Sequence, residues 1–202
     1  INRTPYSCRP YGPDAYRIGF QHMRLARSGY IFVYQDVRGR YMSEGEFVDV
    51  RPFLSAPVAP DSRQKSPQVD EATDTYDTVE WLLRNVEGHN GKAGVYGISY
   101  PGFYATMSLL ACHPAIVAVS LQVPVTDWFI GDDFHHNGAF MLMDAFSFYS
   151  GFGKLRPQPT TESNPGFSDW RTPDNYQFFL KAGALRNFSE KYGLAGSPFG
   201  RT

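Results

Sequence analysis

Gly97-Ile98-Ser99-Tyr100-Pro101-Gly102 is the segment whose residue types and spacing point most directly to covalent chemistry. A serine flanked by glycines, between a strand-like run (93–97) and a helix-like run from 101, matches the context of a nucleophile elbow. Such a turn brings helix and strand so close together that side chains do not fit on its flanks, hence the glycines. The serine hydroxyl then projects above the sheet. The first N–H groups of the new helix, with its dipole, favour an anion forming in the same space. That is the requirement of acyl transfer: a hydroxyl attacks a carbonyl, and main-chain donors hold the resulting oxyanion. The second glycine stands three residues after the serine, with Pro101 at the position two after it. The competing reading of Ser99 is a plain N-cap on an ordinary helix.

A nucleophilic serine needs a base. His135 and His136 follow Ser99 in a suitable chain order, with Asp127, Asp132 and Asp133 nearby. No strand separates those carboxylates from the histidines, however, and a base of this kind belongs on a loop after a late strand. His113 sits at the end of the helix that Ser99 opens, beside Pro114, while His22 and His89 precede the serine and read as solvated or core residues. None of the five is expected to be the base. Asp36-Val37-Arg38-Gly39 follows a strand at the sheet's carboxyl edge, where ligands bind. Substrate contact and a loop-holding Arg–Asp pair with a turn glycine are its two readings, and the second is preferred. Cys8 and Cys112 can make one bridge at most, and neither has the spacing of a metal site.

The elements that must position these residues alternate in type. Tyr30–Gln35, Ala93–Gly97 and Ile116–Val123 read as buried strands, with a short extended fragment at the start of the chain. Asp70–Val86 reads as a helix, with Asp70, Glu71 and Asp74 at its N-terminal end and Gly88 after it. A second helix runs from about Pro101 to Cys112. This rhythm implies βαβ units and a parallel sheet, an α/β fold. Residues 51–69, with four prolines, read as a long surface connection. Beyond Asp127 the strands stop, and Gly138–Tyr149 and about Pro173–Tyr192 read as helices, most simply a helical cap over the sheet.

The 202 residues are 42% hydrophobic and 19% charged, enough apolar content for a core and too little charge for disorder. A net charge of −1 with no basic stripe argues against nucleic acid or an anionic membrane as partner. Aromatics reach 16%, which points either to a binding pocket or buried interface, or to a generous core.

Arg3-Thr4-Pro5-Tyr6, Gln35-Asp36-Val37-Arg38-Gly39-Arg40, Ser43-Glu44-Gly45-Glu46-Phe47 and Gly97-Ile98-Ser99-Tyr100-Pro101-Gly102 occur in this order along the chain. The set resembles the X-Pro dipeptidyl-peptidase, cocaine esterase and α-amino-acid ester hydrolase group of α/β-hydrolases. Segment 127–140 most resembles the α-amino-acid ester hydrolase and glutaryl acylase branch. The resemblance implies an α/β-hydrolase with a mostly parallel sheet and flanking helices, followed by the start of a helical cap. On this reading residues 1–130 are the middle part of the hydrolase domain and 131–202 the first part of the cap. The chain is then expected to be an incomplete piece of a larger protein, its catalytic Asp and His lying beyond residue 202 and its partner being the rest of its own fold.

The resemblance also implies roles. Ser99 is the nucleophile of a serine hydrolase that cleaves an ester or amide through an acyl-enzyme. The N–H of Tyr100 and the hydroxyl of Tyr6 form the oxyanion hole, although by residue type alone Tyr6 reads as a packed core tyrosine. Asp133 contributes to a carboxylate cluster for the α-ammonium of an α-amino acyl substrate. Its alternatives are a cap on the next helix, or Asp132 as the residue facing inward. No metal or organic cofactor is implied. The partner is a small-molecule ester or amide, with a homo-oligomer and a periplasmic or secreted location left open. X-Pro dipeptidyl-peptidase, aryl esterase and a non-catalytic hydrolase-like binding module are the rival functions.

Overall fold

The computed structural model describes residues 1–17, 22–54, 69–149, 151–152, 154, 156, 158–163, 174–184 and 186–187. Among these, the elements in order are β1 (Asn2–Thr4), α1 (Met23–Arg27), β2 (Tyr34–Asp36), α2 (Glu71–Asn85), β3 (Ala93–Ile98), α3 (Tyr100–Leu110) and β4 (Ile116–Gln122). They are followed by β5 (His135–His136), β6 (Ala139–Phe140), α4 (Leu142–Tyr149) and α5 (Asn175–Ala182). Most of the Pro-rich connection expected over 51–69 lies outside the described residues.

Two parallel ladders carry the sheet, β1 with β2 and β3 with β4. Two main-chain bonds of parallel type join them: Ile1 N–H donates to the Gly94 carbonyl at 2.7 Å, and Tyr96 N–H to the Ile1 carbonyl at 3.0 Å. The resulting order is β2-β1-β3-β4. From β1 the chain passes to β2 on one side, and from β3 to β4 on the other. The crevice between the carboxyl ends of β1 and β3 is therefore a topological switch point, where open α/β sheets bind ligands. Tyr6 follows the end of β1, and Ser99 follows the end of β3.

α2 forms as its sequence requires. The Asp70 carboxylate accepts from Thr73 N–H at 2.8 Å, and the Thr73 hydroxyl accepts from Asp70 N–H at 3.0 Å, a reciprocal capping box. Ala72 and Val79 face inward. The strand expected over Tyr30–Gln35 is observed over Tyr34–Asp36, the three residues that pair with Asn2–Thr4 of β1. The helix expected from Gly138 begins instead at Leu142. Asn137 (φ 49°) and Gly138 (φ 84°) make the two-residue turn of the β5–β6 hairpin, a turn type that needs positive φ at both positions. α5 ends at Ala182, with Gly183 at φ 76° closing it, well short of Tyr192, whose neighbourhood is outside the described residues.

The main core is a cluster of aromatics. Tyr100, Phe103 and Tyr104 from α3 pack with Phe47, Phe134, Tyr149 and Phe152, so one core joins residues on both sides of position 130. No described helix is long and apolar enough to cross a membrane.

One charge is buried beneath this core. The Arg3 side chain is 1% exposed and pairs with Glu71 at 3.2 Å. Its guanidinium also donates to Gln35 Oε1 (2.8 Å), the Glu71 carbonyl (2.9 Å) and Thr75 Oγ1 (2.7 Å), tying β1 to β2 and α2. Burial nonetheless pushes the Glu71 carboxyl up, opposed by Arg3. Removing one member of such a pair strands the other. Arg3→Met is therefore expected to cost about 3–5 kcal/mol at neutral pH. A carboxyl whose folded pKa is raised contributes most below its unfolded value and loses that contribution as pH rises. The deficit should thus shrink as pH falls toward the ordinary 4.5 of a glutamate. Chemical denaturation of both proteins across that range checks the sign.

Candidate active site

Ser99 adopts φ 62° and ψ −124°, a conformation that costs a non-glycine residue of order 1–3 kcal/mol. It stands at the N-cap of α3, yet its side chain makes no capping bond and is exposed. The N-cap reading predicted that bond, and its absence leaves the hydroxyl free. The turn is fixed by main chain. Ser99 N–H donates to the Gln122 carbonyl of β4 at 3.0 Å, and the Ser99 carbonyl accepts from Phe103 N–H at 3.1 Å. A Cβ on Gly97 would lie 1.9 Å from the Pro101 carbonyl oxygen, and one on Gly102 would lie 2.7 Å from the Gln122 carbonyl oxygen. The expected close packing of helix on strand is thus seen at both glycines.

Ser99 opens on a cavity of about 680 Å³ that Tyr6, Tyr100 and Asp133 also line. The structure therefore brings all four sequence-selected residues to one space. Tyr6 is half exposed and meets the Tyr100 ring edge-on at 6.1 Å. Partial burial, with Asp49 and Asp133 adding negative charge, pushes its phenol up to about 12. It accordingly keeps its proton, and stays a donor, through the neutral and moderately alkaline range. Tyr100 is buried, so its ring is structural while its N–H belongs to the first turn of α3.

The acidic wall comes from the loop after β4 and from α4. Asp132, Asp133 and Asp144 line the cavity beside Trp128, whose ring stacks on Phe134 at 5.5 Å. The Asp132 carboxylate accepts from Phe134 N–H at 3.2 Å, and burial pushes its pKa up. Asp133 is exposed to the cavity. Neither residue caps α4, which starts nine positions after Asp133 (142 − 133). Asp127 instead closes a turn, accepting from the N–H groups of Phe129 and Ile130 at 2.9 Å each.

None of the five histidines lines this cavity. His113 is buried, accepts from Ala115 N–H through Nδ1 (3.0 Å) and faces Glu80 through Nε2 (3.1 Å), a core histidine. His135 packs on Phe140 at 5.0 Å, and His22 packs edge-on to Tyr96 at 4.8 Å. Asp36 ties its loop to the segment after β1, accepting from Cys8 N–H (2.9 Å) and Tyr11 Oη (2.7 Å). Arg38 pairs with Asp74 of α2, its Nε at 2.8 Å from Oδ2. The loop-holding reading of Asp36–Gly39 is the one seen, with Asp74 as the arginine's carboxylate. Cys8 and Cys112 are both free thiols. Among the described residues no group of His, Cys, Asp and Glu is arranged to hold a metal ion.

Sequence reasoning missed Asp49 and Tyr149. Asp49 accepts from the hydroxyls of Tyr100 and Tyr149, at 2.6 Å each. A single carboxylate inside the apolar run Phe47-Val48-Asp49-Val50 was the available signal.

A model of the X-Pro dipeptidyl-peptidase (S15) family matches residues 1–193. The cocaine esterase of Rhodococcus sp. (strain MB1 Bresler) is 35% identical over 80 residues, 40% of this chain and 11% of that protein. A solved α-amino acid ester hydrolase superimposes with a TM-score of 0.72 at 36% identity, over 98% of this chain and 31% of its own. An aminopeptidase from the marine sediment archaeon Thaumarchaeota archaeon gives a TM-score of 0.75 at 28% identity, with the same shares of 98% and 31%. The chain thus spans about a third of the length of these solved relatives, and its fold is that of an α/β-hydrolase.

The contact at Gly97 yields a direct expectation. Gly97→Ala should destabilise the protein by at least about 3 kcal/mol, the upper end for an overpacked core, because main chain rather than a flexible side chain must move. Urea midpoints of the two proteins measure it, and a tolerated alanine would mean that the turn is looser than described.

Proposed function

This chain belongs to the X-Pro dipeptidyl-peptidase (S15) family, and on that premise we propose that it carries the nucleophile and oxyanion hole of a serine hydrolase. Ser99 Oγ attacks the carbonyl carbon of an ester or amide and loses its proton to a base. The carbonyl oxygen, now an anion, is held by Tyr100 N–H and the Tyr6 hydroxyl. Collapse expels the alcohol or amine, which takes the proton from the base, and leaves an acyl group on Ser99. Water, activated by the same base, then releases the acid. A histidine–aspartate pair from other segments of the fold supplies the base, since the five histidines here are engaged elsewhere or off the cavity. The observation that supports this reading best is the strained, uncapped Ser99, whose exposed hydroxyl shares a cavity with the Tyr6 phenol.

The substrate class follows from the charge of the wall. Asp133 is exposed to a cavity edged by Trp128, Phe134 and Phe148, and it receives the α-ammonium of an α-amino acyl group. A charge-assisted hydrogen bond of this kind contributes about 1.5–3 kcal/mol. Likeness to the aminopeptidase favours a second reading, in which the bond cleaved is an amide; both readings share the ammonium on the acyl side.

Two experiments on the whole protein separate these readings from a non-catalytic scaffold. Ser99→Ala should abolish fluorophosphonate labelling and reduce hydrolysis to the residual of binding and oxyanion hole, of order 10³–10⁴ over water. Retained turnover in that variant removes Ser99 from the mechanism. Asp133→Asn should lose roughly tenfold or more in kcat/KM on an α-amino ester while sparing the matching ester without the amino group. Equal losses on both esters would assign Asp133 a structural task instead.

A further inference from the structure

We propose that Asp49 is a positioning residue that holds Tyr100, and with it the main-chain donor beside Ser99, in place for the developing oxyanion. The proposal rests on the reading of Ser99 given above. Asp49 lies on the connection between β2 and α2, and each of its carboxylate oxygens is taken by a different phenol. Oδ1 accepts from Tyr100 Oη at 2.6 Å, and Oδ2 accepts from Tyr149 Oη at 2.6 Å. Both distances fall in the short range typical of hydroxyl-to-carboxylate bonds. Tyr100 Oη also accepts from Val50 N–H at 2.9 Å, so its hydroxyl is engaged both as donor and as acceptor.

The ring that Asp49 holds is central to the site. Tyr100 is 3% exposed, stacks on Tyr104 at 5.3 Å, and meets Phe103 and Tyr6 edge-on at 6.1 Å each. It is also the first residue of α3, immediately after the strained Ser99. With its hydroxyl held by Asp49 and Val50 and its face packed on Tyr104, the side chain anchors the first residue of α3, whose N–H is the proposed oxyanion donor. Tyr149 gives the same carboxylate a hold on α4, and Tyr6 leans on the ring so positioned. Neither Tyr100 Oη nor Tyr149 Oη is left to contact a substrate through its proton. Asp49 acts through them and touches no reacting atom.

The variants separate positioning from simple stabilisation. Asparagine at 49 keeps the shape but offers one carbonyl acceptor for two phenols. Tyr149→Phe removes only the bond to α4 and leaves Tyr100–Asp49 intact. Fluorophosphonate labelling of Ser99 reports on the same donors as hydrolysis, because its phosphoryl oxygen lies where the oxyanion would be. In the whole protein, Asp49→Asn should lower kcat and the labelling rate together by about tenfold, short of the 10²–10³ expected for deleting an oxyanion donor. KM on an α-amino ester should stay within about twofold, and Tyr149→Phe should change both rates by less than about threefold. If Asp49→Asn does not fold, Tyr100→Phe removes the same bond from its other end while keeping the main-chain N–H, and it must show the same signature. Unchanged labelling and kcat in Asp49→Asn, or in Tyr100→Phe where that variant stands in, would overturn the proposal. So would equal losses in Tyr149→Phe, which would reduce Asp49 to a tie for α4. A wild-type protein that is not labelled at Ser99 would instead remove the reading of Ser99, and this proposal with it.

Discussion

A Cβ on Gly97 would sit 1.9 Å from the Pro101 carbonyl oxygen, and one on Gly102 would sit 2.7 Å from that of Gln122. At both ends of the turn, main chain lies directly against main chain. That contact sets where α3 starts relative to β3 and β4, and so forces Ser99 into a left-handed conformation. The strain is tolerable because neighbours over-determine it: Ser99 N–H is tied to β4, and its carbonyl is tied to Phe103. Tyr100 can then be buried as the first residue of the helix, and the aromatic core is assembled around it. Remove the close approach and the hydroxyl, the first-turn donors and the core all lose their common origin.

Two carboxylate-centred arrangements surround this turn, and they solve the burial of charge differently. Glu71 meets a guanidinium, and Arg3 spreads its donors over β2 and α2 as well. Asp49 has two phenols instead, and burial pushes its carboxyl up even though both hydroxyls favour the charged form. The first arrangement knits the sheet to its covering helix. The second links three chain segments, at residues 49, 100 and 149, with Arg40 supplying the opposing positive charge.

The alternation of strand and helix from Asp70 to Gln122 is legible in the sequence because period and caps agree there. Asp70 with Thr73 marks the start of α2, and Gly97 with Gly102 marks the turn into α3. The site is less legible. Ser99 and the N–H of Tyr100 follow from local pattern, but Tyr6 is one of thirteen tyrosines and was selected only by resemblance. Asp49 is marked in the sequence only as a lone carboxylate in an apolar run; its pairing is hidden because its partners lie 51 and 100 residues away, and no local period encodes such pairing. The early helix start assigned at Gly138 shows the opposite failure. Asn137-Gly138 is a strong two-residue hairpin signal, and a helix reading that begins at Gly138 passes over it.

The β5–β6 hairpin pairs with itself and, through a single bridge, with Gly131, and it shares no ladder with the main sheet. The loop leading into it carries Asp132 and Asp133, whereas the turn bearing Ser99 is bolted into the sheet by β4 and α3. On the proposed reading, substrate preference and bond-breaking then sit on backbone that is paired differently, although Phe134 ties both into one aromatic core. On that reading, exchanges around residues 131–140 that keep Phe134 in the core would redraw the cavity wall and leave the register of β3 and β4 in place. The hairpin is then the part whose exchange would alter specificity, and the serine turn the part whose close packing admits no change.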